Sequence, residues 1–244
     1  MDIEPFYILL FIVAALYAAV GHGGASGYLA LMALYGAAPQ EMKPTALVLN
    51  LFVSLTAFIQ YYRDGHFKIR TFIPIAIASI PFAFVGGMIN MEDALYKRIL
   101  GVLLLFPVIR FFFFRSPKDD ELKDPNLYLS LVFGGFIGLL SGMIGIGGGI
   151  LLSPVLILLK WTNQKQTAAI SAAFIFVNSV SGLAGMLTQD IAFTSNMWMY
   201  IIFAFMGGLA GAYFASKKLN QNGLKYVLAV VLLVAAFKLL FTTA

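Results

Sequence analysis

Cysteine is absent from this chain, and charge is scarce: Asp, Glu, Lys and Arg make up 11% of its 244 residues. Without cysteine there is no disulfide, no thiolate metal site and no cysteine nucleophile. A soluble domain carries about 25% charged residues, so this chain cannot clothe a surface in water, and its solvent is mostly lipid. The two histidines, His22 and His66, have no buried acid or zinc-binding spacing beside them. A membrane enzyme built on a triad or a metal is excluded on those grounds, and no cofactor is called for. A Gly-Lys-Ser/Thr phosphate loop is also missing, so energy must come from a gradient or a partner. The net charge is +5, but the basic residues sit in short gaps between apolar runs. A nucleic-acid face needs them clustered; here they read as membrane orientation.

What is present is apolar sequence in measured lengths. Ten segments can be cut at polar or Gly/Pro breaks, roughly 5–20, 24–37, 43–62, 70–90, 94–115, 126–144, 148–161, 165–188, 195–216 and 223–242. A helical span needs about 20 residues. Segments 24–37 and 148–161 hold 14 each, about 21 Å of helix. Each is expected to form a hairpin with the segment before it, turning inside the membrane. The start Met1-Asp2-Ile3-Glu4 is acidic, unlike a basic signal-peptide n-region, so the first run is expected to stay in the membrane. With hairpins returning to their own side, twelve basic residues fall on one face and four (Lys43, Lys97, Arg98, Lys238) on the other. The positive-inside rule then puts 116–125 in the cytoplasm and both termini outside. Tyr61, Tyr62, Tyr96, Trp161, Trp198 and Tyr226 fall near segment ends, as an aromatic belt would.

The chain repeats itself. Gly21-His22-Gly23-Gly24 aligns with Gly145-Ile146-Gly147-Gly148 at an offset of 124, which also sets Gly87 on Gly211. Residues 1–115 and 126–244 thus form two related halves of one membrane domain. Five segments per half is an odd number, so the second copy enters from the opposite face. The expected fold is an all-α integral membrane protein with an inverted-topology repeat, each half opening with a glycine-tipped, re-entrant helical hairpin.

The tips, Gly21 to Gly27 and Gly145 to Gly149, carry the chemistry. Adjacent glycines break a helix and let a ligand approach the main chain. Each tip precedes a helix, whose free N–H groups and positive dipole end would face into the protein. Two such ends meeting from opposite faces would bind an anion without lysine or arginine. Gly134, Gly138 and Gly142, and likewise Gly86, Gly87, Gly207, Gly208 and Gly211, read instead as helix packing. Gly138→Ala is therefore expected to be tolerated, and Gly148→Ala to abolish anion binding.

Gly145-Ile-Gly-Gly-Gly-Ile-Leu-Leu-Ser-Pro154, followed by Gln166-Thr-Ala-Ala-Ile-Ser171, resembles the TauE/SafE family of membrane permeases. The weaker first copy and the two-half layout fit that family over nearly the whole chain. The resemblance implies export or permeation of sulfite, organosulfonates or related sulfur anions. In the first half the chain departs from the pattern, with His22 at the variable place and Ala25-Ser26 in place of the third glycine.

No acid or base sits in the middle of any segment. Proton- and cation-driven carriers commonly use a buried carboxylate, so a neutral, backbone-lined site suits an anion better. His22 either binds the anion or senses pH, or is a neutral histidine bonded to the turn. Asn50 and Asn178 lie in corresponding central helices, and each amide offers two donors to an oxyanion or to a neighbouring helix. Thr45, Ser54, Gln60, Ser171 and Ser181 are weaker candidates, since such groups also bond back to their own helix. The candidate substrate-binding residues are Gly21, His22, Gly23, Gly24, Ser26, Asn50, Gly145, Gly147, Gly148, Gly149, Ser171 and Asn178. The expected partners are a small anionic solute and membrane lipid, with no nucleic acid. The expected function is a secondary transporter in a bacterial inner membrane, binding its anion at mid-membrane and working by alternating access; a passive anion channel is the alternative.

Overall fold

A computed structural model of the chain describes residues 3–19, 24–113, 117–188, 197–215 and 221–241. In lipid every backbone group has to find its partner within the protein, and an α-helix meets that need within a single segment. Among the described residues ten α-helices follow in order: α1 (Ile3–Ala19), α2 (Ala25–Leu34), α3 (Pro39–Arg63), α4 (Ile69–Met88), α5 (Asp93–Phe113), α6 (Leu127–Ile144), α7 (Gly149–Leu158), α8 (Gln164–Met186), α9 (Met197–Ala215) and α10 (Gln221–Phe241). A 3-10 turn, Asp119–Glu121, precedes α6, and there is no strand among the described residues. Helices α3, α4, α6 and α8 are each long and apolar enough to cross a membrane. Their outer faces carry Ile73, Ile77, Phe82, Val132 and Phe136, all largely exposed, as suits a lipid solvent. Tyr62 and Trp198 are exposed, as a belt requires, whereas Tyr96 and Trp161 are buried. For those two the expectation fails, because each is drawn into the bundle core; Tyr96 donates there to the Ile144 carbonyl at 2.8 Å.

The helices of the two halves interleave. α4 lies against α6, and α1 against α9; α3 packs on α8, and α5 on α10; α2 touches α10, and α7 touches α5. This set of pairs is unchanged when every helix is exchanged for the one five places away. Small residues make the close pairs possible. A Cβ on Gly134 would meet the backbone of Ile75, one on Gly138 that of Ser79, and one on Gly142 that of Ala83. Gly207 and Gly211 stand likewise against Phe11 and Ala15. The packing assignment of these glycines holds, but the expected tolerance of Gly138→Ala does not. The added methyl would strike the Ser79 backbone, which cannot rotate away as a side chain could. By its neighbours, Gly86 on Leu139 is the counterpart of Gly211 on Ala15, one residue off the sequence alignment.

The same contacts set directions. α4 and α6 run parallel, so the 64–68 loop and the 117–126 linker share one end of the bundle. Gln40 at the start of α3 donates to Asp93 at the start of α5 (2.8 Å), which marks the other end. Tyr35, just past α2, packs edge-on against Phe6 of α1 with ring centroids 5.1 Å apart. Past α7, the Lys160 carbonyl accepts from the Lys123 N–H (2.8 Å), and Asn163 donates to Asp119 (2.6 Å). So α1 and α2 form a hairpin whose ends meet at one end of the bundle, and α6 and α7 one whose ends meet at the opposite end. The second arms, α2 and α7, have 10 residues each, about 15 Å of helix.

Candidate functional site

Glycine conformation builds the second tip. Gly145 ends α6 at φ 82°, and Gly147 and Gly148 follow at φ 74° and 75°, a region open to glycine and costly for other residues. The Gly145 N–H returns to the Ser141 carbonyl (2.8 Å), closing α6, and Gly148 caps α7 with no side-chain help. The first tip repeats the device, with Gly24 capping α2 at φ 77°. The N–H groups of Gly147, Gly148, Gly149 and Ile150 have no acceptor among the described residues. These are the orphan donors of a helix start, aligned with its positive dipole end.

Two long helices hold α7's start at their midpoints. A Cβ on Gly147 would stand 2.7 Å from Asn50 Nδ2 of α3, and one on Gly148 2.7 Å from the ring of Phe174 in α8. Gly149 fits beneath Ile175 and the Ser171 carbonyl. A small cavity of about 10 Å³, room for about one water molecule, joins the two tips. Tyr17 and the start of α2 (Gly24, Ala25, Ser26) line one side, and Ile146, Ile150 and Ile175 the other. The starts of α2 and α7 thus meet at one point, while their far ends lie at opposite ends of the bundle.

The polar candidates divide by their bonds. Asn50 is 0% exposed, yet neither its Nδ2 nor its Oδ1 has a partner among the described residues. Asn178 is equally buried, but its Nδ2 donates to Phe174 O of its own helix (2.8 Å), leaving only Oδ1 without a partner. Ser153 donates to Gly149 O (2.7 Å), so in the 2.8 Å Ser171–Ser153 contact Ser171 is the donor. Its proton is therefore committed to holding α8 against α7. Ser26 and Tyr17 share one hydrogen bond of 2.7 Å, which leaves one of their two protons without an acceptor among the described residues. Ser54 bonds back to Asn50 O, and Ser181 donates to Ile80 O of α4 (2.6 Å). Gly21, His22 and Gly23 lie outside the described residues.

Sequence patterns did not single out Tyr28 or Ser141. The Tyr28 hydroxyl lies over Gly24, and Ser141 lies beside Gly148; both hydroxyls are buried without a partner among the described residues. A phenol within an apolar segment next to a tip was the available signal, since a buried tyrosine hydroxyl usually has a bonding partner. Ser141 gave none, because its neighbour is brought up only by the turn. The arrangement offers hydrogen-bond donors from backbone N–H, amide and hydroxyl groups around an apolar cavity. Such a set can hold an oxyanion by direct N–H and O–H bonds.

A family model described as sulfite exporter TauE/SafE matches residues 6–239. The "Probable membrane transporter protein y4hK" of Sinorhizobium fredii is 36% identical over 96% of each chain. The "Probable membrane transporter protein MJ0441" of Methanocaldococcus jannaschii is 32% identical over 76% of this chain and 73% of its own. "Sulfite exporter TauE/SafE family protein 5" of Arabidopsis thaliana is 30% identical over 45% of this chain and 23% of its own. No solved structure gives a significant match.

Proposed function

Because the chain belongs to the TauE/SafE sulfite exporter family of membrane transporters, we propose that it moves a small sulfur oxyanion, sulfite or an organosulfonate, through a site between its two halves. Residues 1–115 and 126–244 act as inverted repeats of one membrane domain. Their half-length helices, α2 and α7, are the inner arms of hairpins that return from mid-membrane. The observation that carries the proposal is the convergence of unpartnered donors. Orphan N–H groups at the start of α7 meet the free Asn50 amide. The Tyr17–Ser26 pair and the Tyr28 hydroxyl stand at the start of α2. Unpartnered buried donors are costly, and an oxyanion supplies the acceptors they lack. In this reading Gly21, His22 and Gly23 complete the α2 side.

The cavity has room for about one water molecule, so a sulfur oxyanion is admitted only when the tips part. That favours alternating access over an open pore. With 116–125 in the cytoplasm and both termini outside, α7 opens from the inner face and α2 from the outer one. The test is flux in proteoliposomes, with labelled sulfite, an organosulfonate and sulfate, with and without a pH gradient. Saturable uptake that unlabelled solute on the far side accelerates supports a carrier. Linear, non-saturating flux favours the channel, and no flux of any sulfur anion overturns the proposal.

A further inference from the structure

Lys43 lies four residues inside α3 and is 7% exposed, the one buried charged side chain among the described residues. Its Nζ donates to the carbonyls of Gly87 (3.1 Å) and Ile89 (3.3 Å) at the end of α4. An ammonium has three donors, so these bonds leave one over. The two acceptors bear only partial charge, and no carboxylate forms an ion pair with Lys43 among the described residues. Buried cations are normally paired with an anion.

The position of Lys43 adds a second observation. Asn50 follows seven residues later, on the same face of α3 and about 10 Å along it. The second tip runs down that face. A Cβ on Gly145 would stand 2.9 Å from the Lys43 carbonyl and 3.2 Å from its Cγ, and one on Gly147 would meet Asn50. At the offset of 124 the other half has Thr167, which carries no charge and is bonded to Thr162 and Asn163. The positive charge therefore stands on one side of the mid-membrane site only.

We propose that Lys43 is a second anion-binding point, outward of the Asn50–Gly147 site, where the oxyanion serves as the missing counter-charge on its route. This rests on the anion-transport reading above. A cation held only by carbonyls is ready to exchange one of them for a better acceptor, and a charge-assisted bond to an oxyanion is about twice as strong as a neutral one.

Glutamine can replace the two carbonyl bonds but brings no charge, so Lys43→Gln separates binding from helix capping. Sulfite titrated onto purified protein in nanodiscs should bind Lys43→Gln about tenfold or more weaker than the parent, the worth of one charged hydrogen bond. Thermal stability should change little in Lys43→Gln and fall in Lys43→Met, which loses both bonds. Parent-like affinity in Lys43→Gln overturns this inference and leaves the mid-membrane site standing. Absence of saturable binding in the parent overturns both. A measurement on the unaltered protein covers the case of a variant that does not fold. Saturating sulfite should slow acylation of Lys43 by an amine reagent at least about fivefold, as occupancy of a tight site demands, with exposed Lys160 as reference. Equal acylation of Lys43 with and without sulfite also overturns it.

Discussion

Asn50 and Asn178 are the same residue type in matching helices, and their bonds assign them different work. Asn178 donates one amide hydrogen to its own helix, while Asn50, beside Gly147, has no hydrogen-bond partner among the described residues. A buried amide without partners destabilises the fold by about 1–3 kcal/mol, a cost that persists where function needs the group. Asn50→Leu should therefore raise the melting temperature of solute-free protein by a few degrees and weaken sulfite binding about tenfold. Differential scanning fluorimetry with and without sulfite reads both effects together. A less stable Asn50→Leu protein that binds normally would make Asn50 structural. Asn178→Leu should instead bind within about twofold of the parent, since its donor already has an acceptor. Sequence placed both residues in central helices, and the difference between them lies in what the second tip brings to α3.

At the scale of helices, the apolar lengths were legible. Ten segments became ten helices with boundaries shifted by a few residues, because the breaks are glycine, proline and charge, which end helices by backbone geometry and solvation. The short arms were legible too, since 24–37 and 148–161 enclose the 10-residue α2 and α7. What stayed hidden depends on distant contacts. Lys43, Tyr96 and Trp161 read as end groups and are buried by neighbours far along the chain. Gly138 and Gly148 show why the kind of contact matters. Gly138 meets the Ser79 backbone across the α4–α6 contact, while Gly148 has φ 75° and the Phe174 ring above it. Both alanine variants should lose stability. Gly138→Ala forces two helices apart, costing about 1–3 kcal/mol, and Gly148→Ala adds a left-handed penalty of about 1–2 kcal/mol to its clash. Only Gly148→Ala should lose sulfite affinity per folded molecule, because Gly138 lies in the helix contact and Gly148 at the donors. Isothermal titration on the monodisperse fraction of each variant decides it. Equal affinity in both would move the site away from the start of α7.

For the whole molecule, the pairing of helices suits an inverted repeat better than a parallel one. Each half's first helix packs on the other half's fourth, and the hairpins return to opposite ends of the bundle. In the proposed carrier, two half-length helices reaching the centre from opposite sides would let one tip open while the other stays closed. The excess of basic residues predicts which side is which. Lys118, Lys123, Lys160 and Lys165 gather where the linker meets the end of α7, and Lys43, Lys97 and Arg98 at the other end. By the positive-inside rule the linker is expected on the cytoplasmic side. The native chain has no cysteine, so a single introduced one reports cleanly. Asp120 and Glu92 are both exposed, in the linker and in the α4–α5 turn respectively. In intact cells an impermeant thiol reagent should modify Glu92→Cys and spare Asp120→Cys until the membrane is opened. Labelling of Asp120→Cys alone would turn the molecule over and put the Lys43 side in the cytoplasm. Labelling of both in intact cells would place the two turns on one face, and that outcome is incompatible with α5 crossing the membrane between them.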